Sequence, residues 1–424
     1  MKIIIYAIGE ISVLNENQVT KNPLIESGTK SWEWASSRMG VVNNILDEYG
    51  SKLPLKDIKI GLCLHITKET AVLALALNRL GGNISICSAN PLSVQDNIAA
   101  FLESKGVKVF AHRGETKKEY HNYIEKVLDT LPQIIVDDGS VMHAMAHLRG
   151  RVNIKGGTEE TTSGIRRLKN LELDHKLKYP VIGVDCAKTK RLFDNRYGTG
   201  QSTLDAIIRI TDLLIAGKKI AVCGYGPVGR GVSERARGLG AIVTVTETDA
   251  IRALQAHMDG FDVKQLSEIS EDGDIFITCT GQTHVIRKEH IIKMKSGSIL
   301  ANAGHFDTEI DIKYLMSNCK ERDLVRPYLE CFHIHRKKIY LLSSGRVVNL
   351  IGSQGNAPDV MAMSFANQLL SIIYINKNYD KLKKKLYSVP LQIDEHVAKT
   401  ALKCFRVKID KLTNRQLKYE GSFN

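Results

Sequence analysis

The chain has 424 residues, 43% of them hydrophobic and 25% charged, with a formal net charge of +13. That length allows two or three domains around a large buried core, and no run of about 18 apolar residues offers a membrane span. The positive charge is dispersed apart from one run, "YDKLKKKLY" near the C-terminus, so a solvated face is expected, with neither a nucleic-acid nor a membrane partner.

In chain order, "MKIIIYAIGEISVL" carries one Lys and meets Glu10 with no small-residue cleavage site, so it reads as a strand, not a signal peptide, and the protein is expected in the cytoplasm. "WEWASSRMGVVNNILDEYG" has helical spacing of apolar residues, "IKIGLCLHI" is a strand, and "KETAVLALALNRLGG" is a helix closed by glycine. "NISICSAN" repeats the strand pattern, and "PLSVQDNIAAFLESKG" reads as a helix begun by Pro91 and ended by Gly106. "KVFAH" and "PQIIVDD" complete a βαβ series, which demands a parallel sheet covered by helices. A second series has strands at "KIAVCG", "AIVTVTE", "DIFITCTG", "GSILANAG" and "KIYLLSSGRVVNL", followed by an amphipathic helix at "DVMAMSFANQLLSIIYI". Two α/β domains therefore abut near residues 186–198. The eight cysteines are scattered singly without a C-x-x-C pair, as expected of reduced, mostly buried thiols.

Within the second series, "CGYGPVGRG" sets Gly224, Gly226 and Gly229 between a strand and a helix, with Pro227 and Val228 opening that helix. The first glycine permits the tight turn, the second lets backbone approach a pyrophosphate, and the third lets helix pack on strand. Glu247 follows 18 residues after Gly229, at the end of the next strand, where a carboxylate accepts both ribose hydroxyls and selects NAD over NADP. Arg252 close by blurs that preference. Cofactor binding here leaves the first domain for a substrate. His65, Thr67 and Glu69 end one of its strands, Asp137 and Asp138 another, and "GGTEETTSG" adds Glu159, Glu160, Thr161, Thr162 and Ser163. Each of these alone is more often a cap or turn residue. "CFHIHRK" puts Cys331, His333 and His335 on one strand face, but with no second cluster of ligands no metal is expected.

Taken together, "CLHITKETAVL", "SANPLSVQDNIAA", "VDDG", "TEETTSGI", "TKRLFDNRYGTGQS", "CGYGPVGRG", "TETDAIRALQAHMDGF", "NAGHFDTEID" and "GRVVNL" closely resemble the S-adenosylhomocysteine hydrolase family, from about Ser31 to the end. The resemblance implies two parallel-sheet Rossmann-like domains and a short C-terminal tail. It divides the chain into a substrate-binding part (1–187), an NAD-binding part (188–352), a return to the first domain (353–385) and the tail (386–424). It also implies one tightly held NAD per subunit, a homotetramer and a nucleoside thioether substrate. NAD takes hydride from the ribose 3′ carbon, the ketone acidifies C4′, homocysteine leaves C5′, water adds there, and the ketone is reduced again.

By the same resemblance, Lys190 is the base at the 3′ hydroxyl, with Asp194 and Asn195 holding it and the ribose. Asp138 and His65 handle protons at C4′ and C5′, His305 lies beside the reacting carbons, Glu160 holds the ribose, and Thr67 and Glu69 meet the base. Thr161, Thr162, Ser163, Thr280, Asn349 and Glu247 fall among the cofactor contacts. Such a lysine needs a pKa lowered by burial or by a cation such as Lys188 or Arg191.

This chain departs from the family in four places. Asp185-Cys186 replaces Asn-Asp, so a carboxylate stands where an amide is usual; it raises the lysine's pKa unless Asp185 itself takes the proton. Asn356, in "GNAP", replaces a histidine near the adenine edge. "DDGSV" replaces "DDGGD", with Val141 for the last acid, and the terminal Lys and Tyr that reach a neighbouring NAD are absent. Three activities remain open: hydrolysis of S-adenosylhomocysteine, the same chemistry on S-inosylhomocysteine or a related nucleoside, and a non-catalytic NAD-binding regulator. Glu69 favours the first, because a carboxylate accepts from a 6-amino group and opposes a 6-oxo oxygen.

Overall fold

The computed structural model describes residues 22–150 and 153–422; the strand expected at Met1–Leu14 lies outside them. Among the described residues, fifteen strands form two sheets. The first, in spatial order β15-β6-β5-β4-β1-β2-β3, contains β1 (Lys59–Leu64), β2 (Asn83–Ser88), β3 (Lys108–Phe110), β4 (Ile134–Asp137), β5 (Gly156–Glu159), β6 (Val181–Gly183) and β15 (Leu386–Ser388). Every pairing in it is parallel. The apolar runs of β1 and β2 are buried on both faces, as a helix-covered parallel sheet requires. Strand β15 lies within the stretch expected as tail, and the helix after it, Leu391–Cys404, buries Val397 and Ala401 against the first core. The packed chain therefore runs to about residue 404, and the tail proper is shorter than expected.

The second sheet runs β12-β13-β14-β11-β10-β7-β8-β9, with β7 (Lys219–Cys223), β8 (Ile242–Thr246), β9 (Asp262–Val263), β10 (Ile275–Thr278), β11 (Ile299–Asn302), β12 (Glu321–Arg326), β13 (Leu329–Ile334) and β14 (Lys337–Leu342). It is parallel from β9 to β14, and an antiparallel hairpin, β12 and β13, extends its edge.

In both sheets the strand order reverses beside the first strand of the series, between β1 and β4 and between β7 and β10. Ligands of open α/β sheets bind at the carboxyl ends of such strands.

Four local expectations need correction. The first helix is two, Pro23–Arg38 and Gly40–Tyr49, broken at Met39. Pro91 does not start a helix: the Asn90 side chain accepts from Leu92 N in a turn, and the helix begins at Asp96. Only Lys337–Leu342 of "KIYLLSSGRVVNL" is strand; Ser344, with φ 53°, turns the chain into the helical turn Val348–Ile351. The helix expected to be amphipathic, Pro358–Asn378, is buried continuously from Ala362 to Ile372, because it is wedged among the first sheet's helices and the site.

Candidate functional site

The carboxyl ends of both sheets open into one cleft of about 1250 Å³. The first sheet delivers His65 and Thr67 after β1, Asp138 after β4, and Glu160 to Ser163 after β5. The second delivers Gly224 to Val228 after β7, Glu247 after β8, Thr280 after β10 and His305 after β11. Lys190, Asp194, Asn195, Asn349 and Asn356 also line it. Residues widely separated in sequence thus meet because two switch points face each other.

At the centre of one wall, Asp138 lies between two imidazoles: its Oδ2 is 3.5 Å from His65 Nε2 and its Oδ1 is 3.6 Å from His305 Nδ1. Burial pushes the His65 pKa down to about 4 and lowers that of His305 as well, outweighing the attraction of Asp138, so both rings are neutral at pH 7. Ser93 Oγ, 2.6 Å from His65 Nδ1, fixes the His65 ring. Behind Asp138, buried Glu159 accepts from Gly139 N and Ser140 Oγ, each at 2.7 Å, and so clamps the loop that presents it.

Opposite stands Lys190, 4% exposed, on the short helix Lys188–Arg191. Its Nζ donates to Asn195 Oδ1 at 2.7 Å and lies 3.2 Å from Asp185 Oδ1, 3.1 Å from Asp194 Oδ2 and 3.8 Å from Glu160 Oε1. Burial opposes its charge, but Asp194, Asp185 and Glu160 outweigh burial and hold its pKa well above the ordinary lysine value. The lowering that a base requires is therefore not what surrounds this amine: Lys188 is exposed, and the groups against Lys190 are anions. Asp185 bridges outward as well, accepting from Asn195 Nδ2 at 2.6 Å and from Thr162 Oγ1 at 2.5 Å. Asp394, 205 residues further on, accepts from Thr189 N and anchors the short helix.

Asn356 lines the cleft but does not offer its amide to it. Nδ2 donates to Asp194 Oδ1 at 2.5 Å and to Thr199 Oγ1 at 3.0 Å, while Oδ1 accepts from Ser202 at 2.7 Å and Asn349 at 3.1 Å. Both polar atoms of this side chain are thus bonded to protein, and Asp194 is its charged partner. Glu69, by contrast, is 2% exposed. Its Oε1 faces Lys68 Nζ at 3.0 Å but takes no hydrogen bond of good geometry. Thr67 caps the helix Lys68–Arg79.

The cofactor residues fit a dinucleotide. Gly224 has φ 102°, and a Cβ on Gly229 would overlap Gly224 O, so both positions demand glycine. At Gly226 only Arg252 Nη1, 3.8 Å away, approaches the missing Cβ, which leaves an open cradle at the start of the helix Pro227–Gly238. Glu247 is held by Tyr225 N and Thr248 N, each at 2.7 Å. Asn349 Oδ1 is a buried acceptor without a partner, and Ser163 Oγ likewise lacks one. Thr161 N and Thr280 N bond to Glu159 and Glu309, which keep both loops in place.

Cys331 and His333 share one face of β13, but His335 does not join them. Cys331 is buried, His333 pairs with Asp323 at 3.1 Å, and His335 lies past the end of β13 in the turn to β14. Ser93, Glu309 and Asp394 are supporting residues that the sequence did not single out, and Glu159, named among the strand-end candidates, proves to be another. Ser93, Glu159 and Glu309 sit inside family-like phrases, whereas Asp394 carries no local signal.

Comparison with known proteins matches residues 16–153 to the S-adenosyl-L-homocysteine hydrolase family model and residues 195–355 to the NAD binding domain of that hydrolase. The first match begins inside the thirty residues whose motifs show no likeness. An adenosylhomocysteinase of Sulfurisphaera tokodaii is 50% identical over 398 residues, spanning 93% of this chain and 96% of that protein. An S-inosyl-L-homocysteine hydrolase of Methanocaldococcus jannaschii is also 50% identical, over 399 residues and the same shares. With a cleft that joins a dinucleotide cradle to the Asp138 and Lys190 groups, and with these relatives along nearly its whole length, the chain belongs to the S-adenosyl-L-homocysteine hydrolase family and uses NAD.

Proposed function

We propose that the protein hydrolyses S-adenosyl-L-homocysteine reversibly to adenosine and homocysteine. The observation that carries this reading is the single cleft, in which the dinucleotide cradle after β7 faces the His65, Asp138 and Lys190 groups of the first sheet. Bound NAD supplies the hydride acceptor. Lys190, Asp194 and Asn195 orient the ribose, Glu160 binds its hydroxyls, and neutral His65 and His305 with Asp138 carry protons at C4′ and C5′. The unbonded Oε1 of Glu69 favours a 6-amino purine, whose N–H satisfies it.

A second reading, the same chemistry on S-inosyl-L-homocysteine, is favoured by the Methanocaldococcus jannaschii relative at equal identity and by the Lys68 ammonium beside Glu69, a donor for a 6-oxo oxygen. The family's division into substrate-binding (1–187, 353–385) and NAD-binding (188–352) parts belongs to the same proposal, with β15 extending the return beyond residue 385. So do a homotetramer, a cytoplasmic location and a place in methyl-group metabolism. Exposed Leu412, Leu417 and Tyr419 support association, and no helix among the described residues is long and apolar enough to cross a membrane.

The test is thiol release from each compound by the purified protein. Release from the adenosyl compound supports the first reading, preference for the inosyl compound the second, and silence with both overturns the two together.

A further inference from the structure

The surroundings of Lys190 are those of a cation. Asn195, Asp185 and Asp194 lie 2.7–3.2 Å from Nζ, one acceptor for each N–H of an ammonium. A neutral amine would turn its lone pair toward a carboxylate. The groups facing this amine from every side are anionic or neutral: Asp185 from the turn after β6, Asp194 from the wide turn Asp194–Gly198, Glu160 from the end of β5, Asp138 from the end of β4, and neutral His305 from the loop after β11.

Among the three carboxylates within 4 Å of Nζ, Glu160 is the farthest, at 3.8 Å. Its own donors are both neutral: Ser364 Oγ to Oε1, and Gln368 Nε2 to Oε2 at 2.6 Å. Each oxygen keeps a lone pair for a second donor, and the residue lines the cleft.

Resting on the function proposed above, we propose that Asp185 holds Lys190 as a permanent ammonium and that the Glu160 carboxylate, not the lysine, receives the proton of the 3′ hydroxyl. In this step the hydroxyl O–H bond breaks and its proton passes to a Glu160 oxygen. Bound NAD would supply the acceptor for the C3′ hydride, so that C3′–O becomes a carbonyl. The Lys190 ammonium stabilises negative charge on that oxygen, and both proton and hydride return in the closing reduction. Burial pushes the Glu160 pKa up to about 7 against the pull of Lys190, near the optimum for a base at neutral pH. Asp185 acts here as a positioning residue, through the charge of its neighbour.

The test follows the Lys190 Nζ resonance by ¹⁵N NMR in the NAD-loaded protein, assigned with Lys190→Arg, together with the pH profile of cofactor reduction in stopped flow. The native lysine is expected to stay protonated through about pH 10, and Asp185→Asn is expected to bring its titration down. Cofactor reduction should rise along a limb near pH 7. Glu160→Gln should lose that limb and about 100-fold or more in rate. A native lysine that titrates below about pH 9, or an Asp185→Asn lysine that titrates like the native one, overturns the role of Asp185. A native rate in Glu160→Gln, or a limb that follows the lysine resonance, overturns the role of Glu160. If neither nucleoside thioether reduces the cofactor, the function reading fails and the role of Glu160 with it, while the lysine spectrum still decides the charge.

Discussion

Asn356 donates through Nδ2 to Asp194 Oδ1 at 2.5 Å, and the other oxygen of the same carboxylate lies 3.1 Å from Lys190 Nζ. The asparagine is therefore linked to the Lys190 group through Asp194. Removing a hydrogen bond to a charged group costs about 1.5–3 kcal/mol. Asn356→Ala is accordingly expected to lower kcat roughly 10- to 100-fold with KM little changed. Steady-state kinetics on the adenosyl compound check this, and a raised KM at native kcat would return Asn356 to the purine edge.

Glu69 sets the second expectation. Its buried Oε1 has an ion-pair neighbour but no hydrogen bond of good geometry, so a ligand donor gains there and a ligand acceptor loses. Glu69→Gln can turn an N–H toward a 6-oxo oxygen. The ratio of kcat/KM for adenosyl over inosyl substrate should fall about 10- to 100-fold. An unchanged ratio would place recognition of the 6-substituent elsewhere.

Much of this site was legible in local sequence, because a strand ending in polar residues and a glycine turn before a helix are short-range patterns. His65, Asp138, Glu160 and Gly226 all come from such ends and all line the cleft. What escaped depends on residues distant in the chain. Asp394 anchors the Lys190 helix from 205 residues away, and the four partners of Asn356 lie on three other segments. For Lys190 the raising effect of Asp185 was legible, whereas the part played by its sequence neighbours was not: Lys188 and Arg191 are cations, but the groups folded against the amine are carboxylates. In the fold, the break at Met39 escaped because apolar spacing continues across it, and β12 escaped because every residue of that edge strand is exposed.

Glu247 is expected to set the choice of cofactor. The backbone N–H groups of Tyr225 and Thr248 hold its carboxylate in the cleft at the end of β8, a place from which it would accept ribose hydroxyls and repel a 2′-phosphate. Glu247→Ser removes the repulsion while Arg252 stays at the mouth of the cradle. NAD affinity of the cofactor-stripped protein is expected to fall about 10-fold or more and NADP affinity to rise, an order of magnitude typical of lost charge-assisted bonds. Titration calorimetry with both dinucleotides decides it; unchanged NAD affinity would mean that the carboxylate serves only the loop.

Glu115 links the fold to pH. The side chain is buried after β3, accepting from Ser88 Oγ and His112 N at 3.2 Å, and burial pushes its pKa up to about 7. An acid whose folded pKa exceeds its unfolded value, about 4.3, contributes stability that is complete below the unfolded pKa and is lost as pH rises through the folded one. Glu115→Gln keeps both acceptor bonds available without a charge to bury. The variant should match the native protein near pH 4 and gain on it as pH rises, reaching roughly 1–3 kcal/mol above pH 7. Thermal unfolding at pH 5 and pH 8, with NAD held constant, measures the gap. A gap that is equal at the two pH values would mean that Glu115 does not titrate between them, and a native protein more stable than the variant at pH 8 would mean that its carboxylate is held charged by bonds stronger than its burial.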